Sequence, residues 1–145
     1  MQVKFYEEID DSLLRYAVII STYHGKWVYC KHKERSTYEI PGGHREEGEA
    51  IFETAKRELY EETGAIEYRI TPVCEYSVIR TDAETGVSEE SFGMLYYADI
   101  QKFETELHNE IEKIEFFAEM PSSLTYPLIQ PRLLEKYLSW RKNEV

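Results

Sequence analysis

Cysteine is scarce in this chain, with two residues, Cys30 and Cys74, in 145. They show no metal-like spacing and fall in strand-like stretches, so the sequence predicts reduced core thiols and excludes a disulfide scaffold. Positive charge is also short. Seventeen Lys and Arg face 28 Asp and Glu, a net charge of −11, which argues against the broad basic surface that a long nucleic acid requires. A small polyanion remains compatible, received through metal ions and a few local cations. No apolar run approaches the roughly 20 residues that span a bilayer. The stretch Met1 to Glu8 lacks both the cationic start and the apolar run of a signal peptide. The expectation is a cytoplasmic protein with no membrane partner. There is no Pro/Ser-rich linker, repeat or low-complexity run, which predicts one domain over residues 1–145, long enough to bury about two thirds of its unfolded surface.

Glutamate is what the chain has in excess, and it concentrates behind a glycine bend. Pro41-Gly42-Gly43 cannot be helix interior, because proline lacks a donor and glycine permits close backbone approach. Ile51, Phe52, Ala55 and Leu59 then share one arc at helical spacing, and Gly64 stands where a left-handed cap ends a helix; these signals predict a helix from about Ala50 to Thr63. Glu58, Glu61 and Glu62 occupy positions i, i+3 and i+4 of it. Each like-charge pair costs roughly 0.2–0.5 kcal/mol on an isolated helix, a penalty that a hard cation removes. Mg²⁺, with Mn²⁺ as its substitute, is the expected cofactor, since it prefers oxygen ligands and is typically shared between one or two carboxylates and substrate phosphates. At 100° per residue Glu58 and Glu62 flank the apolar arc, and Glu61 lies further round, which places the carboxylates where the helix meets a sheet. Arg57 is four residues before Glu61 and can hold a carboxylate in one rotamer. A solvated acidic helix face is the plainer reading, but it explains neither the glycines nor the Arg57 spacing.

Gly43, Glu49, Arg57, Glu58, Leu59, Glu61, Glu62 and Gly64 fall at the spacings of the Nudix box, here residues 43–65. The chain resembles a Nudix hydrolase of the MutT-like kind. Ala65 stands where the family carries a bulkier aliphatic, with Ile66 next to it to fill the space. The resemblance implies an α+β fold of the Nudix α/β/α sandwich type, with a mixed central β-sheet. It also implies roles: Gly43 offers a backbone carbonyl to metal, Glu61 and Glu62 are ligands, and Glu58 is a further ligand or the general base. Glu49 supports the cluster and Arg57 orients it. Several relatives use one more acid beyond the box, for which Glu110 is the first choice and Glu106 and Glu112 are rivals.

The rest of the chain reads as strands with a final helix. Tyr16 to Ile20 is a near-continuous apolar run suited to a central strand. His24-Gly25 is a turn, and Lys26 to Lys33 returns, so residues 15–33 form a hairpin. Ser36 to Ile40 is a short extended piece. Tyr68 to Arg80 and Ser91 to Ile100 flank a turn over Asp82 to Gly86, Lys113 to Ala118 is a further strand, and Leu133, Leu134, Tyr137 and Leu138 recur at helical spacing.

Phosphate contacts are expected from Lys31, Lys33 and Arg45, which bracket the glycine bend. Tyr38 is a candidate for stacking on a base, as are Tyr6, Tyr76, Phe92, Tyr96 and Tyr97, although aromatics in strands usually serve the core. Family sub-signatures, a downstream proline for ADP-ribose and a downstream tyrosine for dinucleoside polyphosphates, are missing around Arg80-Thr81-Asp82. The expectation is therefore a small-molecule nucleotide substrate, a nucleoside triphosphate or its oxidised form, cleaved to monophosphate and pyrophosphate. Pyrophosphate removal from an RNA 5′ end and a non-catalytic nucleotide-binding module are the alternatives. An exposed strand edge leaves a homodimer open.

Overall fold

The computed structural model describes residues 1–105 and 111–143. Its strands are β1 (Gln2–Tyr6), β2 (Leu14–Tyr23), β3 (Lys26–His32), β4 (Gly42–His44), β5 (Ala65–Thr81), β6 (Ser88–Phe103) and β7 (Ile111–Phe117). Among the described residues two α-helices accompany them, α1 (Ile51–Thr63) and α2 (Gln130–Asn143), and a 3-10 turn, Asp11–Leu13, precedes β2. The strands form one sheet in the order β1-β5-β6-β2-β3-β7, with β4 added to β2. The β2–β6 pairing is parallel and the others are antiparallel, so the sheet is mixed.

Alternation along β2 explains the two layers. Ala17 and Ile19 face one core with Ala55 and Leu59 of α1, while Ile20 faces the other with Leu133, Leu134 and Tyr137 of α2. Successive strand side chains point to opposite faces, and a strand apolar on both must be covered on both. The result is the α/β/α sandwich. Buried Leu59 and Leu133 each contribute roughly 1.5–3 kcal/mol by leaving water, and Tyr97 stacks on Tyr137 at 4.5 Å to join sheet to α2.

Several expectations shift. The hairpin of residues 15–33 is paired only near its tip, Thr22 with Trp27 and Tyr23 with Lys26. Beyond that point β2 pairs with β4, through Tyr16–His44, Ala17–Gly43 and Val18–Gly42. That insertion brings the glycine bend into the sheet. β5 and β6 run longer than predicted, and β1, to which the sequence pattern assigns no strand, pairs with β5. Phe52 is not in the buried arc of α1; it is exposed and lies 5.8 Å from the Tyr96 ring, while Thr54 takes the buried place. Ile66 does not fill in for Ala65 either. Ala65 is buried by itself, and Ile66, on the opposite side of β5, is exposed.

Candidate active site

Helix α1 begins at Ala50, the N-cap, and ends at Gly64, whose φ of 77° gives the left-handed cap. Glu53 accepts the Ala50 N–H at 3.0 Å, and Thr54 Oγ1 donates to Glu49 Oε1 at 2.6 Å. These bonds tie the loop acid Glu49 to the first turn. Arg57 lies at the centre of the acidic group. Its Nε donates to Glu49 at 2.7 Å, Nη1 to Glu58 at 2.7 Å and Glu61 at 3.2 Å, and Nη2 to the His44 carbonyl at 2.9 Å. One planar fork thus fixes three carboxylates and the glycine bend, a geometry lysine cannot reproduce.

The bend itself is shaped around those acids. A Cβ on Gly43 would run into the Glu58 carboxylate, and one on Gly42 into the Ala17 carbonyl. Glycine is required here by close approach. The Gly42 N–H donates to Glu62 Oε1 at 2.7 Å, while Glu62 Oε2 is 3.1 Å from His32 Nε2. Burial pushes the Glu62 carboxyl up to about 8 against the pull of the Gly42 N–H, and repulsion from Glu58, Glu39 and Glu61 adds to the rise. Burial also raises Glu58, opposed by Arg57. The Arg57 guanidinium and the Thr54 hydroxyl hold Glu49 down at about 2. Three carboxylates kept in place by one arginine, beside a fourth held by the Gly42 N–H, with Glu58 and Glu62 disfavoured in ionised form, are a donor set suited to a hard cation.

The position of the sequence-derived phosphate contacts differs from expectation. Arg45 is engaged elsewhere, donating to Glu49 O at 2.6 Å, Asp11 O at 2.8 Å and Asp11 Oδ2 at 2.9 Å. It braces the loop. Tyr38 packs edge-on against Phe117 at 5.2 Å; Lys33 is exposed, and Lys31 Nζ donates to the His32 carbonyl at 3.4 Å. None of the four lines the cavity of about 300 Å³ that opens beside Gly43 and Glu62. That cavity is bounded instead by Tyr16, Tyr76, Arg35, Arg80 and Gln130. Of the proposed stacking aromatics only Tyr76 is there. Tyr16 and Gln130 were not singled out by sequence, because strand pairing and the packing of α2 bring them in from distant positions, and Arg35 ends the cationic stretch of which only Lys31 and Lys33 were expected to contact phosphate. Glu106 and Glu110 lie outside the described residues, and Glu112 belongs to β7.

Comparison with known proteins decides the family, because the NUDIX domain model matches residues 13–134. The chain belongs to the Nudix family. The Bacillus subtilis (strain 168) protein YtkD, provisionally named an 8-oxo-dGTP diphosphatase, is 30% identical over 126 residues, 86% of this chain and 75% of that one. Among solved structures, a point mutant of the Bacillus subtilis pyrophosphohydrolase BsRppH superposes with a TM-score of 0.76 at 26% identity, over 95% of this chain and 89% of the other. The Nudix domain of Shewanella oneidensis NrtR, crystallised with ADP ribose, gives a TM-score of 0.63 at 16% identity, over 86% and 88% of the two chains. This Nudix chain is a hydrolase of the pyrophosphohydrolase type, with its box carboxylates on α1 and its cavity on the α2 side of the glycine bend.

Proposed function

We propose that the protein is a Mg²⁺-dependent pyrophosphohydrolase that converts a nucleoside triphosphate, oxidised purine forms included, to the monophosphate and pyrophosphate. The carrying observation is the junction at Gly43 and Glu62, which line a cavity of nucleotide size while Gly43 lies against Glu58, one of the carboxylates that Arg57 orders on α1. Glu58, Glu61 and Glu62 and the Gly43 carbonyl would hold the metal. A Mg²⁺ ion held there would supply polarisation of the phosphoryl oxygens and a lowered pKa for a coordinated water. The chain's own residues supply the rest. Glu58, fixed at 2.7 Å by Arg57 Nη1 beside the metal ligands, is positioned to take a proton from the attacking water. Arg80 at the cavity supplies the local positive charge that a strongly acidic protein needs for a polyanion, since Arg35, also at the cavity, is paired with Glu39 at 2.8 Å. Gln130, held by accepting the Ile40 N–H at Oε1 at 2.9 Å, and the half-buried ring of Tyr16 bound the cavity and would contact the base, while Tyr76 is buried in the wall behind them.

Removal of pyrophosphate from a triphosphorylated RNA 5′ end is the second reading, favoured by the likeness to BsRppH and opposed by the net charge of −11. The test is a Mg²⁺-dependent product assay on dGTP, 8-oxo-dGTP, the other triphosphates, ADP-ribose, dinucleoside polyphosphates and a 5′-triphosphate oligonucleotide. A nucleoside triphosphate should have the highest kcat/KM, with pyrophosphate as product. Preference for the oligonucleotide would establish the second reading, and turnover of none would leave a binding module. Gln130→Ala should shift the ranking among bases while preserving the cleavage position.

A further inference from the structure

Behind Glu62, four side chains of different chemistry converge: Cys30 and His32 from β3, Glu39 from the short extended piece bridged to Cys30, and Glu62 from α1. Their ligand atoms all lie within 4.8 Å of one another. His32 Nε2 is 2.7 Å from Glu39 Oε1 and 3.1 Å from Glu62 Oε2, and Cys30 Sγ is 3.9 Å from Glu62 Oε1. A ring nitrogen carries at most one proton, so it cannot give a full hydrogen bond to both carboxylates. A cation at the point of convergence satisfies all the groups together. Tetrahedral zinc, with bonds of about 2.0–2.3 Å to nitrogen, oxygen and sulfur, sets its ligand atoms roughly 3–4 Å apart, a spacing inside the range from 2.7 Å to at most 4.8 Å found here.

We propose that Cys30, His32, Glu39 and Glu62 form a second metal site for a transition ion of the zinc class, distinct from the oxygen-only cluster of the box and sharing Glu62 with it. The donor set selects the ion: thiolate and imidazole favour zinc over magnesium. Charge also balances. A thiolate and two carboxylates carry three negative charges, matched by a divalent ion together with Arg35, whose Nη1 donates to Glu39 Oε2 at 2.8 Å. Cys30, Glu39 and Glu62 are buried, and the cavity lined by His32, Glu39 and Glu62 is the path of entry. The site stands independently of the hydrolytic reading. Its occupant would compete with the catalytic metal for one shared carboxylate.

Co²⁺ titration of the chelator-treated protein tests this, with Mg²⁺-dependent triphosphate hydrolysis measured alongside. The expected result is one equivalent of Co²⁺ giving a thiolate charge-transfer band and four-coordinate d–d bands, displaced by Zn²⁺. Cys30→Ser should lose the charge-transfer band while keeping Mg²⁺-dependent hydrolysis, and Cys74→Ser should keep the band. His32→Gln, checked for folding by circular dichroism, should weaken Co²⁺ binding at least about 10–100-fold, the loss that even outer partners of a ligand cause. Absence of the band in the wild-type protein, or its persistence in Cys30→Ser, overturns the site whatever the hydrolysis assay shows.

Discussion

Gly43 and Arg57 act at the level of single atoms. Because a Cβ at position 43 would overlap the Glu58 carboxylate, Gly43→Ala must displace that acid. Turnover should fall roughly 100-fold, the scale on which a misplacement of about 1 Å acts, with an unchanged circular dichroism spectrum. Arg57→Lys replaces a fork that holds Glu49, Glu58, Glu61 and the His44 carbonyl by a point charge. Its kcat should drop about 10–100-fold with KM less affected, read from initial rates. The third residue-scale prediction concerns pH. The Glu62 carboxyl is raised in the folded protein from 4.5 to about 8, so between those values the folded state keeps a proton that the unfolded state has released. Its contribution to stability is complete below about 4.5, declines as pH rises toward 8 and is gone above. In chelator, the wild-type melting temperature should therefore fall relative to that of Glu62→Gln across this window. A pH-independent difference between the two proteins would refute the assignment.

At the scale of elements, α1 was legible and the strands around it only in part. Its limits follow from local signals, the Pro-Gly-Gly bend before it and Gly64 after it, and the helix runs Ile51–Thr63. One local signal is missing: Ala50 is the N-cap and has no side chain to accept a hydrogen bond. Ala50→Ser should stabilise the protein by about 0.5–1 kcal/mol, seen as a higher urea midpoint with an unchanged slope and unchanged activity. The strand pairings are another matter. The insertion of β4 beside β2 and the parallel β2–β6 register join residues far apart in sequence, and alternation within one strand says which face is apolar without naming its neighbour. For that reason Arg45, Tyr38, Lys31 and Lys33 were plausible cleft residues by proximity, although they do not line the cavity.

At the scale of the whole molecule, a net charge of −11 repels itself, and salt should relieve part of that strain. NaCl is expected to raise the melting temperature modestly, and Mg²⁺ to raise it further at equal ionic strength, since a ligand at about 100 times its Kd adds about 2.7 kcal/mol. Glu58→Gln, Glu61→Gln and Glu62→Gln should each lose most of the Mg²⁺ increment but retain the NaCl effect. Equal responses to the two salts would remove the carboxylates from the metal site.

The sequence by itself determined the family and the acidic helix, because a carboxylate cluster on one helix with its arginine and its glycine bend is a short-range pattern set by a period of 3.6 residues. Tertiary structure alone decided which residues enclose the cavity and that Cys30, His32, Glu39 and Glu62 meet behind it. The physical reason is that these groups belong to separate strands and helices. Their meeting depends on hydrogen-bond register across the sheet and on the packing of both its faces, neither of which leaves a mark at fixed spacing along the chain.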